Sequence, residues 1–144
     1  MRQNTPIFHS IEISGELQSR PYIDLTIHAL NEFGADVRFT DNKTLYVKGD
    51  RRYSPCECEI EGDWSNASFI YALGATPLNV NHNSLQGDRI CIHHFKALSE
   101  DFCSIDISDC PDLGPILFAY AALHHGGRFT GTERLKLKES DRAR

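Results

Sequence analysis

Lys138, Glu139 and Arg142 lie within five positions of one another, two cations flanking a carboxylate. Lys138 and Arg142 are four apart, so on a helix they share a face. Cations beside a carboxylate suit a phosphorylated substrate with a proton to move: the cations hold the anion and the carboxylate exchanges the proton. Asp112 follows Pro111 at the start of a second predicted helix, where it can accept hydrogen bonds from sugar-like hydroxyls. Ser19 and Tyr22 bring hydroxyls to a third helix start, around Arg20-Pro21. Each residue alone also has a plain structural reading. Asp112 serves as a cap, and Glu139 pairs with Lys138 at the surface for under about 1 kcal/mol.

The elements that must position these groups follow from periodicity and breakers. Residues 7–14 alternate apolar and polar and read as a strand ended by Gly15. Pro21 opens a helix with Tyr22, Leu25, Ala29 and Phe33 at helical spacing, closed by Gly34. Residues 37–40 and 45–48 read as strands joined by Asp41-Asn42-Lys43. Residues 56–61 read as a further strand, after which Asp63 or Ser65 caps a helix running to about Ala75. A short strand is predicted over 78–81, a helix over 86–99 and a strand over 104–108. Pro111-Asp112 then leads into a helix stopped by Gly126-Gly127, a strand follows over 129–132, and a new helix begins near Ser140. Helix starts near Arg20, Asp63 and Asp112 recur every 40 to 50 residues or so, the spacing of a repeated supersecondary unit. Helix N-termini that converge make an anion site.

Composition narrows the function classes. A formal charge of -5 argues against nucleic-acid binding, which needs a surplus of Lys and Arg. The basic residues of 128–144 fit either an anion site or a solvated helix start. No apolar run approaches the roughly 20 residues of a membrane span. The opening Met-Arg-Gln-Asn-Thr-Pro does not read as a signal peptide, and the cysteines number five, so reduced thiols in a cytoplasmic protein are expected. Cys56 and Cys58 form a C-x-C pair with no second pair at zinc spacing, and read as alternate residues of a strand rather than metal ligands. His93-His94 and His124-His125 are adjacent pairs whose members point to different sides, so solvated surface is expected rather than a metal site.

In order along the chain stand Ser19-Arg20-Pro21-Tyr22, Glu61-Gly62-Asp63-Trp64-Ser65-Asn66-Ala67-Ser68, Gln86-Gly87-Asp88, Pro111-Asp112 and Lys138-Glu139-Ser140-Asp141-Arg142. This set resembles the EPSP synthase family over essentially the whole chain, and the last stretch is its most specific element. The resemblance implies an α/β (α+β) fold of repeated βαβαββ units in two similar domains, with substrates in the cleft between them. It implies transfer of an enolpyruvyl group from phosphoenolpyruvate to the 5-hydroxyl of shikimate 3-phosphate, without metal or organic cofactor. Ser19 and Tyr22 then contact shikimate 3-phosphate, Ser19 at its phosphate. Asp112 contacts the ring hydroxyls and acts as general base. Lys138 binds the same region and assists proton transfer, Glu139 protonates the phosphoenolpyruvate methylene, and Arg142 clamps phosphoenolpyruvate.

The chain also departs from the family pattern. The N-terminal Lys-Ser segment, the Asn-Ala-Gly-type loop, the Ser-Ser-Gln motif, the later Asp-His-Arg motif and the last lysine are missing, so an internal fragment without catalytic activity of its own is expected. Residues 1–52 correspond to the last unit of the first domain and 53–144 to the first units of the second. The full enzyme is expected to be monomeric, and the fragment to self-associate through uncovered apolar faces. Between Gln86 and Asp112 the chain is too short for the family's helix plus two-strand hairpin. The competing expectation is a non-catalytic α/β module that binds anions or assembles.

Overall fold

A computed structural model describes residues 8–49 and 52–137, and the chain divides into two compact units, Met1–Glu59 and Ile60–Arg144. Both mix helices with short sheets, as the breaker pattern predicts. Among the described residues no helix is long and apolar enough to cross a membrane.

In the first unit, β1 (Phe8–Glu12), β2 (Val37–Phe39) and β3 (Thr44–Lys48) form an antiparallel sheet in the order β1-β3-β2, with Phe8 opposite Lys48 and Val37 opposite Val47. The β2–β3 turn closes where expected. The Asp41 side chain accepts the Lys43 N–H at 2.7 Å, and this bond, first among several, holds its carboxyl below the usual range. Helix α1 (Arg20–Glu32) ends at Gly34, whose φ of +88 suits a residue without Cβ. Asn31 fastens that helix to β2, donating to the Val37 carbonyl at 2.8 Å and accepting its N–H at 2.9 Å. Among the described hydrophobic side chains of this unit, only Val37 is buried. Ile23, Ile27, Leu30, Leu45 and Val47 line an open apolar cleft of about 530 Å³.

The second unit has a closed core. It contains α2 (Trp64–Ala72), a 3-10 turn (Gly87–Ile90) running into α3 (Cys91–Glu100), and β4 (Cys103–Asp106). A 3-10 turn (Pro111–Leu113) then leads into α4 (Gly114–Leu123), β5 (Gly127–Thr130) and a last 3-10 turn (Glu133–Leu137). Strands β4 and β5 pair in parallel, Ile105 beside Phe129, with α4 as the crossover. Trp64, Phe95, Leu98, Ile107, Leu113 and Leu117 form the core, and Phe118 meets Phe129 edge-on at 4.7 Å. The alternation from β4 continues past Asp106, and Ile107 still donates to the Thr130 carbonyl at 3.0 Å. Gly131 is required where β5 ends: its φ is +69, and a Cβ would meet the Ser108 nitrogen at 2.6 Å.

Three expectations are corrected. Residues 56–61 form no strand: the alternation is there, but among the described residues no neighbouring strand supplies a ladder, and Ile60 is 81% exposed. Residues 78–81 form no strand either, because Asn79 takes a left-handed φ of 59. The helix expected over 86–99 is broken, its first turn wound as 3-10 before α3 begins at Cys91. Helix α2 stops at Ala72, where Gly74 turns the chain with φ +76. Only Asp101 and Phe102 separate α3 from β4, so the shortened stretch keeps the helix and has no hairpin. The helix expected near Ser140 lies outside the described residues.

Candidate functional site

Ser19 precedes α1 in a left-handed conformation, φ 55 and ψ 40, and is buried. For a residue with a Cβ this costs about 1–2 kcal/mol, and such strain concentrates where a binding site over-determines the backbone. The Ser19 carbonyl accepts the Tyr22 N–H at 3.2 Å, while its hydroxyl makes no capping bond to the helix. Pro21 sits in the first turn, and no acidic residue there offsets the helix's positive end. Arg20 is held by Asp24 at 2.9 Å and lies 3.6 Å over the Phe39 ring. Next to it, Gly15, Glu16, Leu17, Arg20, Asn42 and Lys43 line a cleft of about 480 Å³. Lys43 was not singled out in the sequence, where it reads only as a turn residue; the signal was a cation in a tight turn. Tyr22 is exposed and lines the apolar cleft beside Ile23.

In the second unit, two stretches that the sequence marks without a role prove to be a clasp. The Gln86 amide donates to Glu61 Oε1 and to the Gly62 carbonyl, both at 3.0 Å, and its oxygen accepts the Trp64 N–H at 2.8 Å. Ser84 donates to the same Glu61 oxygen at 2.5 Å and accepts the Gln86 N–H at 3.0 Å. Ser65 donates to the buried Asp88 carboxylate. Asp63 caps α2 by accepting the Ser65 N–H at 2.9 Å. Gly62 has no room for a side chain, since a Cβ would lie 2.6 Å from the Asn79 carbonyl. The clasp fixes the N-terminal end of α2, leaving Glu61 Oε2 buried and, among the described residues, without a hydrogen-bond partner. The paired Glu-Gly-Asp and Gln-Gly-Asp stretches were the available signal, but their contact across more than 20 residues could not be read locally.

Asp112 stands half-buried in its 3-10 turn between buried Pro111 and Leu113, which anchor the turn from below. The turn is built by Cys110 N–H donating to Ile107 at 3.1 Å and Leu113 N–H donating to Cys110 at 3.1 Å. Upstream, Asp106 accepts the Ser108 N–H at 2.8 Å, a bond that lowers its carboxyl below the usual range. A carboxylate so seated can accept a proton from a hydroxyl brought to the turn. His94, expected as solvated surface, is instead half-buried with Nε2 4.0 Å from the Cys110 sulfur, and burial lowers its pKa.

Burial pushes the Cys91 thiol up to about 11 and the Cys110 thiol up to about 12 from 9.0, with the Asp88 charge adding to both. The folded state therefore holds these protons more tightly than the unfolded chain. Their contribution to stability is whole below pH 9.0 and is lost as the pH rises towards about 12. Resistance of the chain to urea is expected to weaken over that range, and Cys91→Ala/Cys110→Ala to flatten the decline. An unchanged slope in the variant would contradict this.

Ser19 and Tyr22 thus belong to the first unit and Asp112 to the second. Lys138, Glu139 and Arg142 lie outside the described residues. Among the described residues no group of three or more His, Cys, Asp or Glu is placed to hold a metal ion.

Comparison with known proteins gives one result throughout. Residues 7–98 match the sequence model of EPSP synthase (3-phosphoshikimate 1-carboxyvinyltransferase). Proteins named 3-phosphoshikimate 1-carboxyvinyltransferase from Clostridium kluyveri and Clostridium perfringens are 36% and 34% identical to the chain over 92% of its length. One of that name from Methanocaldococcus jannaschii is 33% identical over 93%. The chain spans only 36%, 37% and 37% of these three relatives.

Proposed function

Because the chain belongs to the EPSP synthase family, we propose that it carries part of the shikimate 3-phosphate site of an enolpyruvyl transferase. The observation that carries this reading is the family match over residues 7–98. The strained helix start at Ser19 and the seat of Asp112 support it. In this reading the Ser19 hydroxyl and the N-terminus of α1 hold the substrate phosphate, with Tyr22 beside them. Asp112 takes the proton of the attacking 5-hydroxyl. Lys138 steadies that hydroxyl and helps the proton move. Glu139 protonates the phosphoenolpyruvate methylene, and Arg142 holds its anionic end. The hydroxyl oxygen adds to the enol carbon to give a tetrahedral intermediate, and loss of a proton from its new methyl group together with inorganic phosphate gives the enolpyruvyl ether.

The finer architecture belongs to the same proposal. The chain is built from repeats of βαβαββ type, residues 1–52 closing a first domain and 53–144 opening a second. The reaction runs in the cytoplasm in a monomeric full-length enzyme. The chain alone lacks most phosphoenolpyruvate ligands and turns over neither substrate. Self-association through the open apolar cleft of the first unit follows from its uncovered side chains.

Thermal unfolding of the isolated chain with and without shikimate 3-phosphate tests the reading. A midpoint that rises with ligand concentration is expected, as for any ligand that binds the folded state alone. No rise at saturating ligand would favour a module that only assembles. Turnover of both substrates by the isolated chain would contradict the division of labour proposed for the full enzyme.

A further inference from the structure

Helix α1 is tied to β2 at both of its ends. Val37 and Phe39 are two apart on β2 and so lie on one face of the sheet. Asn31, in the last turn of α1, grips the backbone of Val37. Arg20, the first residue of α1, reaches Phe39 and holds its guanidinium carbon 3.6 Å from the ring centroid. One turn on, Asp24 accepts the Arg20 Nε–H at 2.9 Å and fixes the plane of the group. A cation in the first turn opposes the helix dipole. Helix propensity therefore gives no reason for Arg20 at this position, whereas its contact with Phe39 does. Ser19 comes immediately before it, with the positive φ of 55 that a residue with a Cβ keeps only when its neighbours hold it. Pro21 has no N–H to offer, and the bond from the Tyr22 N–H to the Ser19 carbonyl is long, at 3.2 Å.

We propose that Arg20 is a positioning residue: its tie to Asp24 and Phe39 holds the left-handed turn at Ser19 in the shape that receives the substrate phosphate. The inference rests on the reading of Ser19 as a phosphate contact. Arg20 acts through Ser19, by keeping the seat formed before the anion arrives. Without the tie the turn relaxes to ordinary backbone, the competent seat becomes a minority state, and the apparent affinity falls in proportion to the fraction that remains. The strain of one left-handed residue sets the size of that loss, about 5- to 30-fold. The phosphate of this substrate is not the reacting group, so the loss falls on KM and not on kcat.

The test compares Ser19→Ala, Arg20→Met, Arg20→Lys, Phe39→Leu and Arg38→Met in a full-length transferase that carries this segment, by steady-state kinetics in shikimate 3-phosphate. Arg20→Met and Phe39→Leu should each raise KM about 5- to 30-fold and leave kcat near its original value. Arg20→Lys should share the loss, because an ammonium keeps the charge but not the planar group that stacks on the ring and is gripped at Nε. Arg38 is the control. It lies 4.4 Å over the Tyr46 ring on the opposite face of β2, and Arg38→Met should leave KM unchanged. In the chain itself, amide hydrogen exchange at Tyr22, whose N–H is bonded to the Ser19 carbonyl, should quicken in Arg20→Met and in Phe39→Leu. With Ser19→Ala raising KM, an unchanged KM in Arg20→Met or Phe39→Leu, full restoration by lysine, an equal loss in Arg38→Met, or unaltered exchange at Tyr22 would each overturn the proposal. An unchanged KM in Ser19→Ala would instead remove Ser19 from the phosphate, and the role of Arg20 with it.

Discussion

Asp112→Asn, introduced into a full-length transferase that carries this segment, is expected to lower kcat by roughly 10²- to 10⁴-fold, the usual contribution of a positioned general base. The substitution keeps the shape and the hydrogen-bonding size of the side chain and removes the proton acceptor. Its backbone is fixed independently by buried Pro111 and Leu113 and by the Cys110–Leu113 bond, so the 3-10 turn should persist. The KM for shikimate 3-phosphate should move far less than kcat, because an amide still accepts hydrogen bonds from ring hydroxyls. Asp109→Asn, at the exposed position before the turn, serves as the control and should leave both constants near their original values. Steady-state kinetics on the two variants separate the cases. A near-normal kcat for Asp112→Asn would remove Asp112 from the chemistry, and an equal loss in Asp109→Asn would point to general damage.

Trp64→Ala should be the most destabilising single change in the described part of the chain, at about 3–5 kcal/mol. The Trp64 side chain is completely buried, stacks on Tyr71 at 5.9 Å and meets His82 edge-on at 5.6 Å. Its indole N–H donates to the Asn81 carbonyl at 3.0 Å, and its backbone N–H closes the Gln86 clasp. The truncation therefore opens a cavity, strands a carbonyl and loosens the clasp end of α2 together. Against an ordinary domain stability of about 5–15 kcal/mol, the second unit should lose much of its cooperative unfolding. Trp64→Phe keeps most of the volume and loses the indole donor, for about 1–3 kcal/mol. Urea unfolding followed by far-ultraviolet circular dichroism measures both, since the variants lack the only tryptophan. An alanine variant within about 1 kcal/mol of the parent chain would show that the core does not depend on this anchor.

Local rules served well where the cause was local. Pro21 and Gly34 bracket α1, Asp63 caps α2, and Gly126 turns the chain between α4 and β5. Each works through its own backbone geometry or through a partner a few residues away. The turn at Asp41 was legible for the same reason. Residues 56–61 were misread because alternation specifies two faces of a segment and says nothing about whether a neighbour exists to complete the ladder. The helix expected over 86–99 was misread in its first turn, where Gln86 is drawn back onto Glu61 and Gly62 and the chain winds as 3-10 before α3. His94 was placed at the surface by the pairing argument, which fixes the divergence of two side chains but not which of them meets the core.

The family, and with it the candidate residues Ser19, Tyr22 and Asp112, was determined by the sequence alone, because residue identity and order survive without any knowledge of contacts. Tertiary structure decided the rest. It put Ser19 in a left-handed, buried turn, closed Glu61, Ser84 and Gln86 into one clasp, and left Cys56 and Cys58 exposed. The physical reason is the same in each case. Burial, ladder pairing and hydrogen bonds between distant residues depend on which partner the fold brings near, and a partner more than 20 positions away leaves no trace in local periodicity.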